Sequence, residues 1–396
     1  MKSFYQVVAG QIVSLFGNAA LRFALPLYLL RQTGSAALYG AVTALAMLPS
    51  LAGMLVGGVL ADRCRKARLM AVLDLVTAGL TAAAAALLGV APLVPLTITA
   101  LGALYAIQGL YQPAVRASLP LLLEPEQLLR GNAVIQTVDT VDELLGPLLG
   151  SVLMERMSLR GLLLVCAGCF AASAWLEWCI RIPQDVPSAV ENLPSGGAKQ
   201  LWAGGWSVLR GRPELIRLAA WMAAANLLEI PAITVGIPVI VVQTLGGSDA
   251  ELGVIQAVLS AGGLAGGALA ALLEKRLRSW QGVGALYGIA FLCVSMGGVL
   301  LLPGVGAAGI AVLGFAVMAV ATLFNVWFFA RLQTIVPAGS VGQVTGLVTV
   351  LACLTQPVGQ AVYGLLFECC TQAPAWVLAG AGAVSAVVLR LLDKSS

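Results

Sequence analysis

Residues 5–30 read YQVVAGQIVSLFGNAALRFALPLYLL, an apolar run with one charge, Arg22. A helix rises about 1.5 Å per residue, so about 20 such residues cross a hydrocarbon core. The run is too long for a signal-peptide core and reads as a retained membrane span. Working outward from it, comparable runs recur to the end of the chain. Candidate spans lie at about 5–30, 36–61, 69–90, 94–118, 128–154, 160–182, 214–243, 250–273, 281–302, 306–329, 341–366 and 374–392. The composition agrees: 60% hydrophobic, 10% charged and a mean hydropathy of +0.95, against about 25% charge in soluble domains. With 45 glycines and 18 prolines, the spans suit helices that pack closely and bend. The expected fold is an all-α membrane protein with 12 transmembrane helices.

Charge sets the orientation. Of the 22 Lys and Arg, 18 fall on the side that holds both termini; Arg31, Arg156 and Arg160 lie opposite, and Arg22 lies inside. The positive-inside rule then predicts a multi-pass protein of the cell (cytoplasmic, or inner) membrane with both termini cytoplasmic. The net charge of +4 reflects this topology and anionic lipid, with no nucleic-acid signal. The eight cysteines sit mostly in apolar spans, and Cys166-x-x-Cys169 reads as packing because the chain has no His. No nucleotide-binding Gly-x-x-x-x-Gly-Lys-Ser/Thr loop, hydrolytic triad or metal-ligand set occurs. The chain is expected to be no enzyme and to use no cofactor. Any uphill work must come from an ion gradient or a partner.

The chain also repeats itself. Ala24-Leu25-Pro26-Leu27, Gln32-Thr33-Gly34-Ser35 and Gly40 are echoed by Gly236-Ile237-Pro238-Val239, Gln243-Thr244, Gly247-Ser248 and Gly253. Gly146-Pro147-Leu148-Leu149-Gly150 before Glu155 is echoed by Gln356-Pro357-Val358-Gly359 before Glu368. A common offset of about 210 residues implies two six-helix pseudo-repeats in parallel orientation, a transporter plan. The expected division is a six-helix bundle over 1–182, a cytoplasmic linker over 183–212 and a second six-helix bundle over 213–396. In the linker Trp202, Trp206 and Leu209 share one helical face beside Lys199, Arg210 and Arg212. That suits either an interfacial helix or one packed on the bundle.

Arg22, Asp139, Asp142, Glu143 and Glu229 lie near the middle of apolar spans. Each costs at least about 2.5–3.5 kcal/mol at the midplane unless it is paired or hydrated, so they mark a polar path. On the fifth span Asn132, Gln136, Asp139 and Glu143 fall within about 60° of one another, with Asp142 beside them. Three acids so close repel, so at least one should hold a proton. That suits proton coupling, or else a structural ion-pair network. Glu229 on the seventh span is a fourth proton-coupling candidate, or a partner for helix-break groups near Pro231. On the first span Gln11, Ser14, Asn18 and Arg22 form a stripe. Arg22 cannot shed its proton and should pair with a fifth-span acid. The candidate substrate-cavity set is Asn18, Arg22, Gln108, Gln136, Asn226, Asn325 and Gln356. Tyr105, Gln112, Phe324, Trp327 and Phe328 are further aromatic or amphipathic candidates.

After the second span the chain reads Gly58-Val59-Leu60-Ala61-Asp62-Arg63-Cys64-Arg65-Lys66-Ala67-Arg68-Leu69. This resembles the signature loop of the major facilitator superfamily, with the usual second glycine missing because Arg65 directly follows Cys64. Arg22-Phe23-Ala24-Leu25-Pro26-Leu27 leading to Thr33-Gly34-Ser35 is similar to the macrolide-efflux-like drug:proton antiporter branch. So is Leu119-Pro120 through Arg130-Gly131-Asn132-Ala133 to Gly146-Pro147. Asp142 stands where that branch's fifth-helix motif has a glycine, and its mid-fourth-helix arginine is missing. The resemblance implies an alternating-access transporter in which Asp62, Arg63 and Arg68 form a cytoplasmic gate. The reading is a monomeric, proton-coupled exporter of small amphipathic substrates whose other partner is the lipid bilayer. Alternatives are a siderophore or metabolite exporter, a lysophospholipid flippase, or a transport-dead sensor or scaffold.

Overall fold

The computed structural model describes residues 2–124, 127–180, 206–207, 209–273, 282–302, 304–336 and 341–394. Among them stand α1 Lys2–Thr33, α2 Ala36–Arg63, α3 Lys66–Leu87, α4 Leu93–Leu122, α5 Leu128–Arg156 and α6 Leu159–Trp178. There follow α7 Pro213–Thr244, α8 Asp249–Leu272, α9 Val283–Leu300, α10 Gly306–Ile335, α11 Val341–Cys369 and α12 Pro374–Lys394. Each coincides with an expected span to within a few residues. Eleven are long and apolar enough to cross a membrane. The twelfth, α5, fails that measure because its acids crowd its middle.

The echoed residues recur as matching local structures. Gly34 takes the left-handed φ of 63° that ends α1; at the end of α7 that conformation (64°) falls on Gly246, one residue before the echoed Gly247. Ser35 accepts from the Leu38 N–H at 3.1 Å, and Ser248 from the Glu251 N–H at 3.1 Å, capping α2 and α8. Glu368 accepts from the Ala37 N–H at 3.2 Å, and Glu155 from the Ala250 N–H at 2.9 Å. Gly53 and Gly57 of α2 meet the α4 backbone at Ala106 and Gly109–Leu110, while Gly262 and Gly266 of α8 meet α10 at Phe315 and Ala319. In each pair a small-residue stripe lets two helices touch backbone to backbone.

Contacts divide the chain into two compact units. The first is Met1–Gly34, Leu45–Val190 and Ser248–Ala257; the second is Ser35–Ala44, Glu191–Gly247 and Val258–Ser396. In the first, α3 packs along α6, and α1 packs along α5 and α6. An apolar core of Phe4, Val7, Met70, Tyr111, Val115 and Leu119 fills the end nearest the N-terminus. In the second, α9 packs along α10 and α12. Its α7 is irregular, with π-helical turns at Ala225–Glu229 and Ile240–Thr244. Pro231 and Pro238 remove donors from the regular ladder, and the wider turns absorb the break.

The turn between α2 and α3 forms without the missing glycine. Cys64 and Arg65 make it, with the Cys64 N–H on Leu60 O and the Leu69 N–H on Arg65 O, both at 2.8 Å. The side chains of Asp62 and Arg63 lie outside the described residues, as do residues 183–205 and 208 of the linker, including Lys199 and Trp202. Trp206 is exposed and lies under Arg210 at 5.2 Å, and Leu209 is buried.

Candidate functional site

Two glycines bring α5 onto α1. Gly146 lies against Ala19, and a Cβ on Gly150 would stand 3.2 Å from the Ala20 Cα. At this approach the polar stripes of the two helices meet. Asp139 Oδ1 accepts from Gln11 Nε2 at 3.2 Å and from Gln112 Nε2 of α4 at 3.4 Å. Its other oxygen lies 3.9 Å from Arg116. Asp139 is therefore held by two amide donors and one cation from two helices.

Asp142 is placed differently. It lines a cleft of about 480 Å³ walled by Ile12 and Phe16 of α1, Val141, Leu145 and Leu149 of α5, and Cys169 of α6. The walls are otherwise almost wholly apolar, so one half-buried carboxyl faces a greasy space. Arg22, Glu143 and Asp139 are the charges that act on it. The Arg22 guanidinium stacks on the Tyr105 ring, 4.2 Å from its centroid, and lies in the field of both Asp142 and Glu143. A cation over an aromatic face and between acids is the pairing an Arg needs inside a membrane. Glu143 is exposed.

The other expected site residues fall in both units. Asn18 is buried and donates to Ser14 O at 3.3 Å, leaving its Oδ1 without a partner. Gln108 is half-buried and Gln136 exposed, both in the first unit; the Asn132 side chain lies outside the described residues. In the second unit Asn226 and Gln356 are half-buried and Asn325 is exposed. Glu229 is fully buried there and accepts from Ser385 of α12 at 2.7 Å, so its neighbours are helix-packing residues of its own unit. Arg68 is exposed.

Sequence reasoning missed Asp74 on α3 and Glu177 on α6, buried with Tyr111 of α4. Their signal was a polar face: Asp74, Thr77 and Thr81 at helical spacing, and Ser173 four residues before Glu177.

A family model described as Major Facilitator Superfamily matches residues 7–360. Macrolide efflux protein A of Streptococcus pyogenes is 27% identical over 282 residues, covering 69% of this chain and 68% of that protein. An uncharacterized MFS-type transporter, YfiS of Bacillus subtilis (strain 168), is 26% identical over 294 residues, covering 72% and 68%. Among solved structures, the nucleoside transporter NupG superposes with a TM-score of 0.76 at 11% identity, covering 100% of this chain and 99% of that one. A bacterial homologue of the iron transporter ferroportin, in an inward-facing state, gives 0.72 at 14% identity, covering 99% and 98%. These structures share the fold, and the similar proteins are transporters, not enzymes.

Proposed function

Because the chain belongs to the major facilitator superfamily and is a multi-pass membrane transporter, we propose that it exports small amphipathic molecules by alternating access in exchange for protons. The observation that carries this reading is Asp142, a single carboxyl on the wall of an apolar cleft and within the field of Arg22. The cleft takes an apolar body, and the ionised carboxyl attracts a basic or hydrogen-bond-donating group on the same molecule. A proton arriving at Asp142 removes that attraction and releases the substrate, so proton and substrate compete for one group. A proton moving through about 150 mV supplies about 3.5 kcal/mol, which sustains a gradient of a few hundred-fold. Similarity to a protein named for macrolide efflux supports the outward direction. In this reading the termini face the cytoplasm, the bilayer is the cell membrane, the working unit is the monomer and no resident cofactor takes part.

The test uses the purified chain in proteoliposomes with an imposed pH gradient. Asp142→Asn is expected to abolish gradient-driven accumulation of a lipophilic amine while retaining its binding in detergent. Wild-type affinity is expected to weaken as the pH falls, and the variant's affinity to stay flat. Gradient-driven accumulation by the variant at the wild-type rate removes Asp142 from coupling.

A further inference from the structure

Asp74 and Glu177 are 2% and 0% exposed, deep in the packing of α3 on α6. Four helices wall the place. The Ser14 hydroxyl of α1 donates to Asp74 Oδ1 at 2.8 Å. The Tyr111 hydroxyl of α4 donates to Glu177 Oε1. Ser173 of α6 gives its proton to the Gly10 carbonyl of α1 at 2.8 Å. Gly10 supplies the room, since a Cβ there would stand 3.1 Å from Glu177 Cγ and 3.5 Å from Ser173 Oγ.

The second oxygen of each acid, Asp74 Oδ2 and Glu177 Oε2, is buried with no hydrogen-bond partner. Among the described residues the titratable groups that face them are each other and Tyr111, and α1 offers the neutral Ser14 hydroxyl. Among the described residues no Lys or Arg pairs with either acid. Two ionised carboxylates sharing a dry site with no cation carry both desolvation and mutual repulsion. One proton removes the repulsion and the desolvation of one of the two charges, and turns an orphan acceptor into a donor for the carboxylate that remains.

We propose that Asp74 and Glu177 form a proton-binding site that holds one proton between them, separate from the carboxyls of α5. The site does not depend on what the transporter carries or on which way it moves. It shares two walls with the Asp139 cluster: Gln11 and Ser14 are one turn apart on α1, and Tyr111 and Gln112 are adjacent on α4.

Infrared spectroscopy of the full chain in lipid nanodiscs, with carboxyl-labelled Asp and Glu, reads the proton directly. The wild type is expected to show a protonated-carboxyl stretch at neutral pH. Glu177→Gln or Asp74→Asn is expected to remove or displace it, and Asp142→Asn to leave it in place. Tyr111→Phe keeps both acids and serves if those variants do not fold; losing the phenol donor should shift the band. A spectrum with no such band, or a band that none of Glu177→Gln, Asp74→Asn and Tyr111→Phe alters, overturns the proposal. Because transport is not measured, this outcome is separate from the fate of the export reading.

Discussion

Asp139, Asp142 and Glu143 share one helical stripe yet meet three different surroundings. Two glutamine amides and Arg116 secure Asp139, Asp142 looks into an apolar cleft, and Glu143 is exposed. Asp139→Asn keeps an oxygen for both amides and should leave thermal stability within about 0.5 kcal/mol. Asp139→Leu strands two donors and should cost about 1–3 kcal/mol in detergent unfolding. Equal melting of the two variants would mean the amides find other partners. Tyr105→Leu, which removes the ring under Arg22, should lower stability by about 0.5–2 kcal/mol, with Tyr105→Phe retaining most of it. The polar stripes of α1 and α5 were legible because helical spacing fixes which residues share a face. The neighbours were not, because Arg116 and Tyr105 reach the site from α4, and helix packing, not periodicity, brings α4 there. Asp74 and Glu177 escaped for a similar reason. The packing of α3 on α6 is what buries them, and helical spacing does not show which helix packs on which.

Among the helices, the repeat was read from a few Pro, Gln and Gly echoes, and the structure gives those echoes physical work. Left-handed glycines, serine caps and glutamates that accept from a helix N-terminus recur in matched places. The α2–α4 and α8–α10 pairs touch through glycine. Gly109→Ala and Gly266→Ala would drive a methyl into a neighbouring backbone and should each lower stability by about 1–3 kcal/mol. Gly79→Ala and Gly380→Ala meet open space and should be neutral or slightly stabilising in the same melting experiment. If all four behave alike, close approach is not what these glycines serve. The π-helical turns of α7 were invisible beforehand. Pro231 and Pro238 announce a broken ladder, but not whether the chain kinks or widens to absorb it.

Across the whole molecule, the membrane class followed from composition alone, and the number of spans from the recurrence of apolar runs. Exposed tryptophans fall near helix ends, Trp175 and Trp178 on α6 and Trp376 on α12, where amphipathic rings settle at a membrane surface. The basic asymmetry predicts that residues 183–212 share the cytoplasmic side with both termini. A single cysteine at position 196 on a cysteine-free background should react with a membrane-impermeant thiol reagent only after the membrane is opened. Labelling of intact cells would reverse the orientation.

The shortfall of α5 in apolarity bears on how the chain is made. A segment carrying three acids at its centre gains too little from lipid to leave the translocation channel unaided. Its polar partners, Gln11 and Gln112 as donors and Arg22 and Arg116 as cations, all precede it in the chain and are synthesised before it. Insertion of α5 should therefore be cooperative with α1 and α4. Placed alone in a host protein, Leu128–Arg156 should be translocated past the membrane; fused behind residues 1–127 it should integrate. Efficient integration of the isolated segment would show that the acids are accommodated by lipid and water without these earlier-made neighbours.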